Sequence, residues 1–383
     1  MIFDNSHLED DSPKKNGESY FQFFNRSSRI ENGKIRCFLE DLISRFPFED
    51  ANELIGRIRS RDDANFISAV FELFLHEALV KIGCGLSVHP ELHNGKSTRP
   101  DFLVKTPDGC EFYLEAVLAT ERNESDKGGE ARKGIVLDCL SSSPHRNFRV
   151  LMDDKGCPNT QPSGKKITRE VHNWLDTLDP DDIQNKIDSD GFAALTSYGW
   201  CHEDWQVNFM PIPISAENRG KSTNLIGIGA IGNGGWIDSW SPIRDAVEDK
   251  GSKYGILDKP LLIAVNVNSF HLDEFDEMQA LFGQEQLVLG AEGPRKKRVP
   301  NGAWWGKKGT QYTRVSGVWI FNFLLPTSVA KVDQTVYFNP WATHTLPDIL
   351  KKFPHAIAED DKICRKEGIS FAKIFGLNKN WPE

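Results

Sequence analysis

The sequence predicts an α/β protein with a helical N-terminal lead-in and a long insertion, and three observations predict it. Residues 65–82, NFISAVFELFLHEALVKI, are apolar, free of Gly and Pro, and preceded by Asp62 and Asp63 as N-cap candidates, which makes a helix. Short apolar runs bounded by turn residues follow, as strands do. After residue 240 a further helix pattern is followed by the continuous apolar run KPLLIAVNV.

Taken in order, residues 1–16 are polar and expected to be disordered. Residues 17–61 form the lead-in, where helix patterns such as KIRCFLEDLISRF and ANELIGRIRSR alternate with short breaks. The core opens at residue 62, and its first half is expected to extend to 119. At about 100° per residue, Phe66, Val70, Leu73 and Val80 of the long helix share one face with Glu77 in its middle, while Glu72 points elsewhere, near Leu75 and Leu79. Gly83 and Gly85 end that helix, and LSVHPEL makes a short strand. Residues 120–240 form the insertion, with NFRVLMD and WQVNFMPIPIS as strands and KKITREVHNWLDTL as a helix. The second half spans 241–383: a helix at 242–254, the buried strand at 259–267, a helix at LDEFDEMQALFG, a basic loop, and strands at VSGVWIFNFLL and VYFNPWATHTLP.

The segment RPDFLVKTPDGCEFYLEAV carries the chemistry. Pro100 suits the first position of a strand, since it fixes φ and lacks an amide donor, and Pro107, Asp108 and Gly109 supply a hairpin turn. Pairing the two strands brings Asp101 and Glu115 together. A lone carboxylate among Tyr113, Leu114, Ala116 and Val117 is costly to bury unless it pairs or binds a metal, and two converging carboxylates make a hard-oxygen site suited to Mg²⁺ or Mn²⁺.

These residues resemble the PD-(D/E)xK nuclease superfamily, whose half-motifs are Pro-Asp on one strand and Asp/Glu-x-Lys on the next. Pro100-Asp101 matches the first half; the second reads Glu115-Ala116-Val117, with Val in place of Lys. The resemblance implies a restriction-endonuclease-like core, a mixed sheet flanked by helices, and Mg²⁺-dependent phosphodiester hydrolysis in nucleic acid, DNA ahead of RNA, in bacterial defence against foreign DNA. It implies Asp101 and Glu115 as metal ligands with Glu77 as the helix acid beside them. The absent lysine is expected from the later helix, Lys253 ahead of Lys250, with Tyr254 beside it and with Arg132 and Lys133 as rivals. His76, His89 and His93 flank the site without joining the first rank.

A net charge of −9 argues against a general nucleic-acid coat, yet local patches decide phosphate binding. PRKKRVPNGAWWGKKG, residues 294–309, sets Arg295, Lys296, Lys297, Arg298, Lys307 and Lys308 around Trp304 and Trp305, a pattern in which cations take phosphates and indoles stack on bases. The other reading is a solvated loop whose Trp pair docks on the domain. The seven Cys are scattered, with no zinc spacing, so a reducing cytoplasm is the expected compartment. No apolar run is long enough for a membrane span, and no P-loop is present; GIGAIGNGG at 227–235 has the wrong spacing for GxGxxG. Two other classes of function stay open: a catalytically silent nuclease-like module that binds nucleic acid or a protein, and a scaffold that docks a protein partner through SYGWCHEDWQ or self-associates.

Overall fold

A computed structural model of the chain describes residues 1–4, 8, 10–120, 127–191, 194–222, 224–227, 239–269, 272–290, 293–359 and 362–383. Of the glycine-rich stretch at 227–235, all but Gly227 lies outside the described residues. The chain divides into two units, one of Met1–Ser12, Ser19–Glu121 and Ile237–Glu383, the other of Pro13–Glu18 and Arg122–Trp236.

The first unit is α/β, a large mixed sheet flanked by helices. It opens with four helices, α1 (Tyr20–Arg26), α2 (Ile30–Arg45), α3 (Phe48–Ile58) and α4 (Asp63–Lys81). The N-terminal residues depart from the expected disorder, because Ile2 and Phe3 are buried and their amides donate to Glu40 Oε1 at 2.7 and 2.9 Å. Asp62 caps α4 by accepting from the Ala64 N–H at 2.9 Å. Every residue from Ala69 to Leu79 is buried, so α4 is a core helix wrapped on all sides rather than an amphipathic one.

Next come β1 (Gly85–Val88), β2 (Phe102–Lys105) and β3 (Glu111–Thr120). The turn at Pro107-Asp108-Gly109 closes through Thr106 N–H to Cys110 O at 2.8 Å, with Gly109 at φ +86°, a conformation side chains resist. The second unit contributes α5 (Lys127–Ser141), β4 (Phe148–Lys155), α6 (Gly164–Leu175), α7 (Pro180–Asp190), β5 (Tyr198–His202) and β6 (Trp205–Pro213). Its strands pair antiparallel in the order β4-β6-β5 around a core that includes Val136, Phe148, Val171 and Trp205.

The first unit resumes with α8 (Ser241–Lys253), β7 (Leu261–Asn268), α9 (Glu274–Phe282), β8 (Glu285–Gly290), β9 (Gly293–Arg298), β10 (Trp305–Gly306), β11 (Gly309–Thr310), β12 (Val315–Asn322), β13 (Gln334–Phe338), β14 (His355–Glu359), β15 (Lys362–Lys366) and α10 (Phe371–Phe375). Its eight-stranded sheet runs β1-β2-β3-β7-β12-β13-β14-β15. The central pairs β3/β7 and β7/β12 are parallel, while β1/β2 and β2/β3 are antiparallel. β7 is buried from Leu261 to Val267, as a strand covered on both faces must be. Its one polar interior residue, Asn266, is satisfied by the backbone of Leu324, donating to O at 2.9 Å and accepting from N–H at 2.8 Å.

Alternation along β3 sorts the sheet faces. Phe112 and Leu114 pack with α4, whereas Tyr113 and Val117 pack with Ile243 and Val247 of α8, so Glu115 faces α8. α8 sits close to the sheet because Gly251 is pressed on Tyr312 and Val315; a Cβ there would lie 2.9 Å from Val315 Cγ2. Among the described residues no helix is long and apolar enough to cross a membrane.

Candidate functional site

The register of β2 on β3 pairs Phe102 with Leu114, so the residue before β2 lies opposite the residue after Leu114: Asp101 faces Glu115. Asp101 Oδ2 accepts from the Ala116 N–H at 2.6 Å, and its carbonyl accepts from the His89 N–H at 2.9 Å. His89 itself holds a left-handed backbone, φ +45°, a strain of the kind that collects at functional sites.

Glu115 is 1% exposed and fully engaged. Its Oε1 takes the ammonium groups of Lys250 at 2.9 Å and Lys253 at 3.2 Å, and its Oε2 accepts from the Tyr254 hydroxyl. Lys250 and Lys253 are three residues apart on α8 and so share a face. Burial works against the charge on Lys250, but the attraction of Glu115 and then of Asp101 outweighs it and holds the ammonium pKa above the ordinary lysine value. Tyr254 is pushed up too, by burial and by the same carboxylates, and stays a neutral donor.

Asp101 is the electrostatic opposite of Glu115. Desolvation first, then Glu115 and Glu72, raise its pKa well above the usual range, against a smaller pull from the Ala116 N–H and Lys250. Among the described residues it forms no ion pair. Asp101→Asn is therefore expected to stabilise the chain at neutral pH. The sign follows from linkage: an acid whose folded pKa exceeds its unfolded value of about 3.9 carries no penalty below that pH and a growing one as pH rises towards the folded value. Urea denaturation at pH 4 and at pH 7.5 should show the gain only at the higher pH.

The helix acid beside Asp101 is Glu72, not the expected Glu77. Glu72 is buried and clamped by both terminal nitrogens of Arg57, one at 2.7 Å. Glu77 turns to α2, where Oε1 takes Arg45 Nη2 at 2.9 Å; the same oxygen takes Lys81 Nζ of its own helix at 3.7 Å, while Oε2 has no partner. The two acids stand five residues apart, roughly 140° around the helix, so only one can face Asp101. Of the other residues considered, Arg132 and Lys133 lie on α5 of the second unit, where Lys133 pairs with Asp154 at 2.7 Å and Glu130 at 3.1 Å. His76 is buried against Phe46, its Nδ1 has no partner, and desolvation lowers its pKa; it behaves as a neutral core residue. His93 is exposed. Of the residues the structure adds, Arg57 left no signal in the sequence, Glu72 was expected to point elsewhere, and Tyr254 was expected only as the neighbour of Lys253.

The basic segment also departs from expectation. Gly293–Arg298 is a strand paired with Glu285–Gly290, not a loop, and within it Lys296 pairs with Glu285 while Arg298 donates to the Gly283 carbonyl at 2.7 Å. Trp304 is fully buried, set edge-on to Phe282 at 5.3 Å, and presents no face for stacking; Trp305 is exposed. Trp304→Ala should cost about 3–5 kcal/mol by leaving a large cavity, and Trp305→Ala far less, a contrast that thermal unfolding of the two variants would measure.

Among the described residues no group of three or more His, Cys, Asp and Glu is disposed to hold a metal ion. A shallow cavity of about 380 Å³ belongs to the second unit, lined by Arg149, Ile212, Lys221 and Ser222 among others, and contains none of the groups above. The carboxylate and lysine cluster therefore stands on its geometry, not on cavity size. No protein-family model matches the chain, and neither do any curated protein or solved structure.

Proposed function

We propose that the chain is a divalent-metal-dependent phosphodiesterase acting on nucleic acid, with a restriction-endonuclease-like core. The observation that carries this reading is the facing pair Asp101 and Glu115 with two ammonium groups on Glu115 from a helix 135 residues downstream. The order α4, β1, β2, β3, α8, β7, with β3 and β7 parallel, supports the same reading, because α8 makes good the Lys missing after Glu115. Use in defence against foreign DNA rests on the sequence resemblance.

Asp101 and Glu115 fit a hard cation. Mg²⁺ commonly takes only one or two carboxylates and completes its shell with water and phosphate oxygens, so two acids suffice. Burial first, then Glu115 and Glu72, raise the pKa of Asp101, and a cation bound beside it would favour its charged form. When bound, the metal would lower the pKa of a water and offset charge on the phosphate. The chain's own groups do the rest. In the hydrolysis a water oxygen adds to phosphorus and loses a proton, the bond to the leaving sugar oxygen breaks, and that oxygen gains a proton. Lys250 and Lys253 hold their charge near the reacting phosphate and orient the water by donating hydrogen bonds. Lys250, with its pKa raised, is a donor and a charge, not a base.

A silent, binding-only module is favoured by one observation, that Lys250, Lys253 and Tyr254 already occupy both oxygens of Glu115. One experiment separates the two. Mg²⁺ and Mn²⁺ are titrated calorimetrically into the chain and its Asp101→Asn variant, and both are assayed on single- and double-stranded DNA and RNA. Binding and cleavage in the parent, lost in the variant, are expected; a chain that neither binds metal nor cleaves any of the four substrates is not a nuclease.

A further inference from the structure

Among the described residues, the exposed indoles are not the adjacent pair that the sequence suggests. Trp305 is 36% exposed and its ring partner is Trp341, 37% exposed, with centroids 5.7 Å apart and planes tilted by 31°. Both are held firmly. Trp305 sits in the β10/β11 hairpin opposite Thr310 and its carbonyl accepts from Gly302 N–H at 3.0 Å. The Trp341 N–H donates to Asn339 Oδ1 at 3.0 Å, and Asn339 in turn donates to Val315 O at 2.8 Å. Their backbones are fixed, and the two neighbouring indoles leave a flat apolar face in reach of a ligand.

The charge of the segment that carries Trp305 favours one kind of occupant. Lys307 and Lys308 form the two-residue turn of the same hairpin, both exposed and, among the described residues, without an acidic partner. From Gly293 to Val332 the chain carries eight Lys and Arg and no Asp or Glu, in a protein whose net charge is −9. A polyanion with flat apolar faces fits the two indoles together with the exposed lysines of the Trp305 hairpin.

We infer that Trp305 and Trp341 form a stacking platform for unpaired bases of a nucleic-acid strand, with Lys307 and Lys308 on its phosphates. Bases inside a duplex cannot offer a face to the indoles, so the ligand is single-stranded or frayed. This rests on the proposed function for its ligand class and deepens it by naming the strand state.

The test uses the full chain carrying Asp101→Asn, without metal, so binding is read apart from cleavage. Fluorescence anisotropy follows a labelled 16-nucleotide single strand as DNA and as RNA, the matching blunt duplex, and a single strand made abasic. The single strand is expected to bind more tightly than both the duplex and the abasic strand, and the DNA and RNA arms identify the polymer. Trp305→Ala and Trp341→Ala should each weaken single-strand binding roughly 5- to 150-fold with an unchanged salt slope, while Trp→Phe at either position restores most of it. Lys307→Ser with Lys308→Ser should instead flatten the slope by about 0.7 per lysine. Equal affinity for the intact and abasic strands overturns the inference without requiring any variant to fold. Parent-like binding by folded Trp→Ala variants also overturns it, even if Asp101-dependent cleavage survives; Trp-dependent binding with no cleavage would sink only the nuclease reading.

Discussion

Glu115→Ala is expected to cost about 3 kcal/mol of stability and to abolish metal-dependent hydrolysis, two losses from one carboxylate. The side chain is 1% exposed and joins Lys250, Lys253 and Tyr254. Removing one partner of a buried pair typically costs about 3–5 kcal/mol because the other charge stays behind, and the low end applies here since Lys250 and Lys253 retain 20% and 36% exposure. On sequence alone, truncating either acid should relieve mutual repulsion and leave stability intact. The structure splits that expectation: Asp101, with no cation paired to it, keeps the prediction, and Glu115 reverses it. Urea denaturation of the two variants side by side checks the signs. Equal midpoints for both would show that the lysines do not depend on Glu115.

Lys250→Met is expected to lower hydrolysis by about 10² to 10³, the usual effect of deleting one preorganised donor that meets developing charge. Lys253→Met should lose less, since its ammonium is longer-paired and more exposed, and the double variant more than either. The pH profile gives a second readout. A cation whose folded pKa is raised keeps its contribution at every pH below the unfolded value of about 10.4 and loses it only as pH climbs through the folded one. The rate should therefore show no basic limb between pH 7 and 10. A limb near pH 8, absent in Lys250→Met, would mean that this lysine works by losing its proton.

What was legible in the sequence depended on how sharply local chemistry constrained it. The Pro107-Asp108-Gly109 turn and the uninterrupted apolar run of β7 have few alternatives, so their elements could be drawn correctly. α4 was legible as a helix but not in its orientation, because an all-apolar helix has no polar face to mark its outside; that is why Glu77 was preferred to Glu72. RKKR looked like a loop since charge dominates its composition, yet Lys and Arg stems tolerate a strand whose side chains reach water. Trp341 could not be found at all. Its meeting with Trp305 is a tertiary contact between residues 36 positions apart, with no periodicity to announce it. The adjacency of Trp304 and Trp305 did hold a clue, since neighbours in an extended chain point to opposite sides and only one could be outside.

The distance in sequence between Glu115 and Lys253 also sets a timetable. The two are 138 residues apart, with the second unit's main segment encoded between them. At a synthesis rate of about 5–20 residues per second, the emerging chain carries Glu115 for roughly 7 to 28 seconds before both of its lysines exist. β3 likewise waits for β7, its parallel neighbour, with one side unpaired. The second unit, with a core of its own, can fold during that interval. Pairing of β3 and neutralisation of Glu115 then become linked late events, in which α8 brings the lysines and β7, directly after it, supplies the missing neighbour of β3. A chain stopped at Thr120 should accordingly remain open to proteolysis, and one stopped after Asn268 should begin to resist it.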